Sequence, residues 1–187
     1  MTLSTFLVQK RSAILKKWFD LIIKTYPTDA QGFLKRQKNR FANPVGHTIS
    51  KEIAALYDGL FSEGDPTDKI SAFLDRIIRI RAIQDFSPSA AIAFVFFLKK
   101  LIREELENES WEGDMADDLW KLEEKIDQLA LLSFDIYMKC REQIYELKAN
   151  EFKNMTTRLL QRANVIWEDP AQKPDQDGVS EAEHEAR

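Results

Sequence analysis

Glycine and proline are scarce in this chain, with six of each among 187 residues. The sequence contains neither a G-x-x-x-x-G-K-[ST] nor a G-x-G-x-x-G segment, so the common glycine-rich loops that hold phosphate groups are excluded. Because glycine and proline interrupt regular structure, their few positions mark the boundaries of the predicted elements.

Cysteine and histidine are rarer still. The single cysteine, Cys140, has no intrachain partner for a disulfide, which fits a reducing compartment, and we expect it to be a small buried apolar residue. The two histidines, His47 and His184, have no neighbouring histidine or cysteine at the spacing of a zinc site. We therefore predict no metal, no cofactor and no redox role.

Long apolar runs are also missing. The most apolar one, residues 90–98, lies between Pro88 and two lysines and is far shorter than the roughly 20 residues that cross a bilayer. At the N-terminus, basic residues follow the first apolar cluster and no small-residue cleavage site appears, the reverse of a secretory signal. These features predict a cytoplasmic protein without a transmembrane segment.

Charge is unevenly distributed around a net value of −4. Residues 1–47 are basic and residues 101–130 acidic, and we expect the two segments to attract each other within one fold. The basic segment at 35–40, with Phe33 and Phe41 near its ends, resembles a surface for single-stranded nucleic acid. The alternative, in which Phe33 and Phe41 anchor a short helix to the core, is favoured, and no nucleic-acid partner is predicted.

Apolar residues recur at helical spacing through most of the chain, which predicts an all-α fold. The first helix is expected at about 4–25, before Pro27, and a short second helix at the basic segment, with Thr28 and Gln31 as a capping box. A third helix is expected at 49–62, a fourth after Asp65-Pro66 to about residue 84, and a fifth, central one from Pro88 to Leu106.

No glycine or proline occurs between Gly113 and Pro170. An apolar stripe with alternating spacings of four and three runs from Met115 to Leu147, and the pattern reaches about Val165. It predicts one long helix, with two helices broken near Asn150 as the alternative. Residues 1–167 are thus predicted to form a single helical domain, and residues 168–187 a disordered acidic tail.

Catalytic residues are not apparent. The adjacent carboxylates Asp117/Asp118 and Glu123/Glu124 fall between apolar positions of the last helix, so we expect them to face water with ordinary pKa values. The sequence therefore predicts that the protein is not an enzyme. An aromatic set could instead line a pocket for a hydrophobic or tetrapyrrole ligand, although core packing is the favoured interpretation; the set comprises Trp18, Phe94, Phe97 and Trp120, with Phe96 beside them.

Three segments carry a family resemblance. WFDLIIKTYP at 18–27, FANPVG at 41–46 and FSPSAAIAFVFFLK at 86–99 resemble the N-terminal domain of RsbRD-type proteins, the RsbT co-antagonists of the bacterial stressosome. The similarity extends over about residues 8–150. It implies a sensory or interaction domain with protein partners in a bacterial signalling pathway.

The resemblance also implies a fold. Related stressosome domains are globin-like, dimeric and free of haem, and they usually precede a STAS domain, for which no residues are available after Val165. Haem would need an imidazole on a helix beside the aromatic pocket, whereas His47 is expected in a turn and His184 in the tail. The implied function is that of a stand-alone sensor or adaptor.

The FANPVG segment is expected to be a structural turn. We predict that Gly46 adopts a positive φ, that Asn43 hydrogen-bonds the turn backbone after Phe41, and that Pro44 starts a turn before Thr48 caps the third helix. The stripe from Met115 to Leu147 exceeds what the other helices cover, so we also predict a homodimer through this stripe, with pairing through the first helix as the alternative.

Overall fold

In a computed structural model of the chain, six helices make up the regular structure of the described residues. The structure describes residues 2–36, 41–61, 67–107 and 115–163, without the side chains of residues 67 and 68. All regular elements within these ranges are helical, which confirms the predicted all-α class. The helices are α1 Leu3–Lys24, α2 Thr28–Leu34, α3 Pro44–Leu60, α4 Thr67–Ile83, α5 Pro88–Glu107 and α6 Met115–Arg162.

The ends of α1, α4 and α5 lie close to the predicted ones, and Ser87 caps α5 by accepting from the backbone N–H of Ala90 at 3.3 Å. A short second helix does begin at Thr28, but its predicted capping box and its predicted extension across the basic segment were wrong. Its N-cap is Pro27, and Gln31 instead donates its side-chain N–H to the carbonyl of Tyr26 at 2.9 Å. The helix ends at Leu34, before the basic segment. The predicted cap at Asp65 lies outside the described residues.

All buried side chains of the described residues fall in one unit, Met1–Glu146. In this unit α1 packs on α3 and α5, and α4 packs on the same two helices. The core is apolar, as the spacing of the helical stripes requires. Its largest fully buried apolar side chains are Trp18, Tyr57, Phe6, Phe94, Leu7, Ile14, Ile22, Ile23, Ile49, Ile53 and Leu56.

The long C-terminal helix is confirmed as a single element, α6, without a break near Asn150. The expectation that part of its stripe from Met115 to Leu147 would stay exposed in one copy is confirmed at the end of the stripe, where Leu147 is exposed. Met115, Leu122, Ile126 and Leu129 are buried, because they pack into the same apolar core as the other helices.

A second unit consists of residues 147–187, of which 147–163 are described. Every described residue in it is exposed. The predicted boundary at residue 167 and the acidic tail lie outside the described residues. No helix among the residues that the structure describes is long and apolar enough to cross a bilayer.

Candidate functional site

The FANPVG segment begins α3 instead of preceding it. Asn43 is the N-cap: its Oδ1 accepts from the backbone N–H of Gly46 at 2.9 Å, and Pro44 takes the first helical position. The predicted hydrogen bond from Asn43 to the turn backbone is thereby confirmed. The predicted cap at Thr48 was wrong, because the helix has already started four residues earlier. His47 likewise lies in the first turn of α3 and not in a loop.

Asn43 also ties α3 to α2. Its buried amide nitrogen donates to the carbonyl oxygens of Phe33 at 3.0 Å and Leu34 at 2.8 Å, where α2 ends. One side chain thus hydrogen-bonds backbone groups that have no partner within their own helices, an N–H at the N-terminus of α3 and carbonyl groups at the C-terminus of α2. This arrangement explains why an asparagine, with both a donor and an acceptor, stands at this position.

Gly46 does not adopt the positive φ that we predicted, because it is part of α3. It is needed for a different reason. A Cβ at Gly46 would lie 2.3 Å from the carbonyl oxygen of Leu34 and 2.5 Å from Nδ2 of Asn43. The glycine therefore allows the start of α3 to approach the end of α2 closely.

The two phenylalanines near the basic segment do not anchor a helix to the core. Phe33 is exposed, and Phe41 is 94% exposed. That expectation was wrong, because α2 turns its Leu34 and not Phe33 inward. Residues 37–40 lie outside the described part of the chain.

The four aromatic residues proposed for a pocket occupy different environments. Trp18 and Phe94 are buried and stacked, with ring centroids 6.3 Å apart, and the Trp18 indole N–H donates to the carbonyl of Phe94 at 2.7 Å. Phe97 is half-buried, and Trp120 is 67% exposed. None of the three described surface hollows is lined by any of these four residues.

Arg81, near the end of α4, is the most unusual side chain of the core, because it is charged and 0% exposed. Its Nη2 donates to Oγ1 of Thr25 at 2.9 Å and to the carbonyl of Ala90 at 3.0 Å. Its Nε and Nη1 lack acceptors within the described residues, and so does the buried hydroxyl of Tyr26. Buried donors of this kind are rare in folded proteins.

Aromatic rings surround the Arg81 guanidinium. Its central carbon lies 4.2 Å from the ring centroid of Phe86, 5.5 Å from that of Tyr26 and 6.0 Å from that of Phe94. Burial lowers the pKa of Arg81, although the neighbouring Tyr26 opposes this effect, and burial raises the pKa of Tyr26. We call Arg81, Thr25, Tyr26, Phe86 and Phe94 the Arg81 cluster.

The segment between α4 and α5 connects this cluster to α6 within the first unit. Asp85 has a φ of 57°, the left-handed region that few non-glycine residues adopt. Arg141 of α6 donates to Oδ1 of Asp85 at 2.8 Å and to the carbonyl of Ala82 at 3.0 Å. The Tyr137 hydroxyl donates to the carbonyl of Phe86 at 2.5 Å.

The buried acids, by contrast, are each paired with a cation. Lys17 binds Glu105 at 2.5 Å, one ion pair between the basic and acidic segments, and Arg76 binds Glu52 at 2.7 Å. Arg103 binds Glu123, which is buried and not solvent-facing as we had expected. The Arg103 hydrogen bond lowers the pKa of Glu123. Because their charges are compensated, these acids are structural groups.

Metal-binding geometry is absent from the described residues, which contain no cluster of three or more histidine, cysteine, aspartate or glutamate side chains. Cys140 is buried as expected, and burial raises the pKa of its thiol. His184 lies outside the described residues. The absence of a metal and the absence of haem stay predictions. The argument against haem loses one support, because His47 lies in α3 and not in a turn.

Comparison with known proteins places the sequence motifs in a family. The profile of the RsbT co-antagonist protein rsbRD N-terminal domain matches residues 12–151. The chain belongs to the RsbRD N-terminal domain family. An uncharacterized protein of Archaeoglobus fulgidus is 27% identical over 142 residues, which cover 75% of this chain and 83% of that protein. No solved structure matches the chain.

The RsbRD N-terminal match includes all three motifs on which the resemblance was based. Two of them meet at the Arg81 cluster, since Thr25 and Tyr26 belong to the first motif and Phe86 and Phe94 belong to the third. The family is one of signalling domains, not a known enzyme family. The globin-like arrangement stays an expectation.

Sequence reasoning missed Arg81, although a signal was present. The apolar stripe of α4 runs through Ile70, Ile77 and Ile78, and position 81 follows at the next helical spacing. An arginine on the apolar face of a helix therefore pointed to a buried cation. Its missing acceptors were not visible in the sequence, because they depend on which groups α1 and α5 bring to it.

Proposed function

We propose that this protein is a non-enzymatic cytoplasmic signalling domain that acts through protein–protein interaction and works as a homodimer paired through α6. The family supports the signalling role, and an exposed apolar face of α6 is the observation that supports the pairing. This face differs from the buried stripe that the sequence analysis had assigned to the dimer.

The exposed face can be described in each unit separately. In the first unit, Leu131 is 70% exposed, and Phe134, Met138 and Tyr145 are also exposed. In the second unit, Phe152 is 73% exposed, and Met155 and Leu159 are exposed as well. Large apolar side chains exposed in such numbers are typical of interaction surfaces.

The sequence spacing of these residues favours a second helix as the occupant. Positions 131, 138, 145, 152 and 159 follow one another at intervals of seven, and positions 134 and 155 lie three residues after the first and fourth of them. A repeat of seven with this offset is the pattern of a two-helix seam. A second copy of the chain offers the same repeat, so a symmetric pair would cover both faces. We call residues 131, 134, 138, 145, 152, 155 and 159 the α6 seam.

Basic residues interrupt the α6 seam at positions 141 and 148. Charged residues at seam positions weaken pairing, although Arg141 already contacts Asp85 and lies 4.9 Å from the Tyr145 ring centroid. We therefore expect a reversible dimer, which suits a signalling domain better than a permanent one.

Co-expression of two differently tagged copies tests this proposal in the cell. The wild-type copy is expected to capture its differently tagged counterpart, and Phe152→Glu in both copies is expected to abolish the capture. Asn154→Glu, at an exposed position outside the seam, serves as the matched control and should leave the capture intact. Capture that persists in Phe152→Glu would contradict pairing through α6.

The alternative function, a protein that binds a hydrophobic or tetrapyrrole ligand beside Trp18, Phe94, Phe97 and Trp120, makes a separate prediction. A purified protein that retains a Soret absorbance band through gel filtration would support it. A colourless protein would restrict this alternative to ligands that do not absorb visible light.

A further inference from the structure

The Arg81 cluster contains more donors than acceptors. A guanidinium has five N–H bonds, one on Nε and two on each terminal nitrogen. Thr25 and Ala90 accept the two from Nη2, which leaves three without acceptors in the described residues. The Tyr26 hydroxyl is a fourth unpaired donor, and its ring lies 5.5 Å from the guanidinium carbon.

The charge of Arg81 is also uncompensated. No carboxylate lies within 4.0 Å of the guanidinium in the described part of the chain, and the acid of the adjacent connection, Asp85, binds Arg141. The C-terminal end of α1, at Thr25, brings a partial negative charge, whereas the N-terminal end of α5 brings a partial positive one. These dipoles oppose each other, and the full positive charge stays without a counterion.

Other buried charges of this protein show how the fold treats such groups. Glu52, Glu105 and Glu123 each bind a lysine or arginine. Proteins seldom bury a charge without a partner, because no favourable interaction then offsets the free-energy cost of removing the charge from water. Arg81 is thus the exception among the buried ions of the described residues. An anion from solution would supply the missing hydrogen-bond acceptors and the missing negative charge.

We propose that the Arg81 cluster binds a small monocarboxylate. Nε and Nη1 of Arg81 donate to the carboxylate oxygens, with the Tyr26 hydroxyl as a further donor, and the rings of Phe86 and Phe94 contact the apolar part of the ligand. A carboxylate suits this site, since it offers two acceptor oxygens and neither Nε nor Nη1 has an acceptor in the described residues.

Hydrogen bonds connect the Arg81 cluster and the residue beside it to α6. Phe86 covers the guanidinium and its carbonyl accepts from Tyr137, while the preceding Asp85 accepts from Arg141. Entry of a ligand requires Phe86 to move, and that movement changes the contacts of both α6 residues. This consequence rests on the proposed signalling function, whereas ligand binding itself is measured independently of self-association.

The test uses the full chain and acetate as the probe. Melting temperature is measured during titration with sodium acetate, with sodium fluoride keeping the ionic strength constant. We expect saturable stabilisation of the wild type and of Arg79→Met, an exposed arginine two residues away that pairs with Asp75. Arg81→Met should lose the acetate response, and in acetate-free buffer it should be at least as stable as the wild type, because it removes an unpaired buried cation.

A second variant and a second measurement guard against misfolding. Arg81→Lys keeps the charge but offers fewer donors in a different geometry, so its affinity for acetate should fall about tenfold. Saturation-transfer NMR should show magnetisation passing from aromatic protons to the acetate methyl group in the wild type and Arg79→Met, but not in Arg81→Met.

Three results would overturn the proposal. These are the absence of a saturable acetate effect in the wild type, an equal effect of acetate in Arg81→Met, and a saturable effect of chloride or sulfate that depends on Arg81 and exceeds that of acetate. Loss of dimerisation with acetate binding intact would instead count against the proposed function alone.

Discussion

The amide group of Asn43 joins α2 to α3. Its oxygen caps α3 and its nitrogen donates to two carbonyls at the end of α2, all within a buried environment. Aspartate is as good an N-cap as asparagine, so a cap alone does not require the amide. The donor half of the side chain is what distinguishes the two.

We therefore predict that Asn43→Asp destabilises the protein by about 2 kcal/mol at neutral pH, because a carboxylate oxygen would face the carbonyls of Phe33 and Leu34 without a hydrogen between them. Urea unfolding measures this change. Thr2→Asp, at the exposed N-cap of α1, is the control and should change stability by less than about 0.5 kcal/mol. Equal stability of Asn43→Asp and the wild type would contradict the role of the amide nitrogen.

The close approach of Gly46 to the end of α2 leads to a second prediction. Gly46→Ala should cost about 2 kcal/mol or more, because the new Cβ would meet the backbone oxygen of Leu34 at 2.3 Å. Gly32→Ala is the matched control: it lies within α2, nothing stands within 4 Å of its Cβ position, and it should stabilise by about 0.5–1 kcal/mol. If both substitutions have the same effect on urea unfolding, the close approach of α3 to α2 is not what selects glycine.

The sequence predicted that Asn43 and Gly46 have structural roles, but it did not reveal which contacts require these two residues. A glycine after Asn-Pro is compatible with a positive φ and equally with a close contact, and only the position of the Leu34 carbonyl distinguishes them. Arg81 shows the same limit. Its place on an apolar stripe is visible in the sequence, whereas its acceptors come from residues 56 positions earlier and 9 positions later.

At the scale of elements, α5 and α6 are joined by charged pairs along one side. Arg103 binds Glu123 through Nη2 and Oε2 at 2.6 Å, and Lys99 binds Asp127 at 2.9 Å. The Arg103 hydrogen bond holds the pKa of Glu123 below its usual value. A carboxyl whose pKa is lowered by folding stabilises the protein above its unfolded pKa, and this contribution is lost as pH falls through the lower, folded value.

Glu123→Gln is therefore expected to flatten the dependence of unfolding free energy on pH between about pH 5 and pH 3, because the amide has no proton to gain. Urea unfolding at a series of pH values measures the slope. Glu124→Gln, an exposed neighbour on the same helix, should leave the slope unchanged. A slope that Glu123→Gln does not alter would show that the pair with Arg103 contributes nothing to acid stability.

The periodicity of apolar residues predicted the positions of the helices well, but it predicted poorly which helix faces pack together. Apolar spacing placed five of the six helices near their observed positions, since a buried stripe is a local property. It could not show which of the two apolar faces of α6 the domain covers. The alternating stripe is buried or half-buried from Met115 to Ile144, whereas the seven-residue repeat that includes Phe152 is exposed.

In the whole molecule, we propose that the first unit binds a ligand and that α6 pairs with the same helix of a second copy. The Arg81 cluster lies in the first unit, and its connection to α6 runs through Asp85 and Phe86 to Arg141 and Tyr137. Family membership supports a role in signalling. The proposed signalling depends on pairing through the α6 seam, because a signal carried by this helix requires a partner on which the helix acts.

Light scattering across micromolar protein concentrations measures the proposed pairing. We expect the mass to rise towards twice that of one 21.8 kDa chain, Phe152→Glu to hold it at one chain without loss of helix content, and Asn154→Glu to behave as the wild type. A wild-type mass of one chain throughout, or a dimer that Phe152→Glu leaves intact, would contradict the proposed pairing.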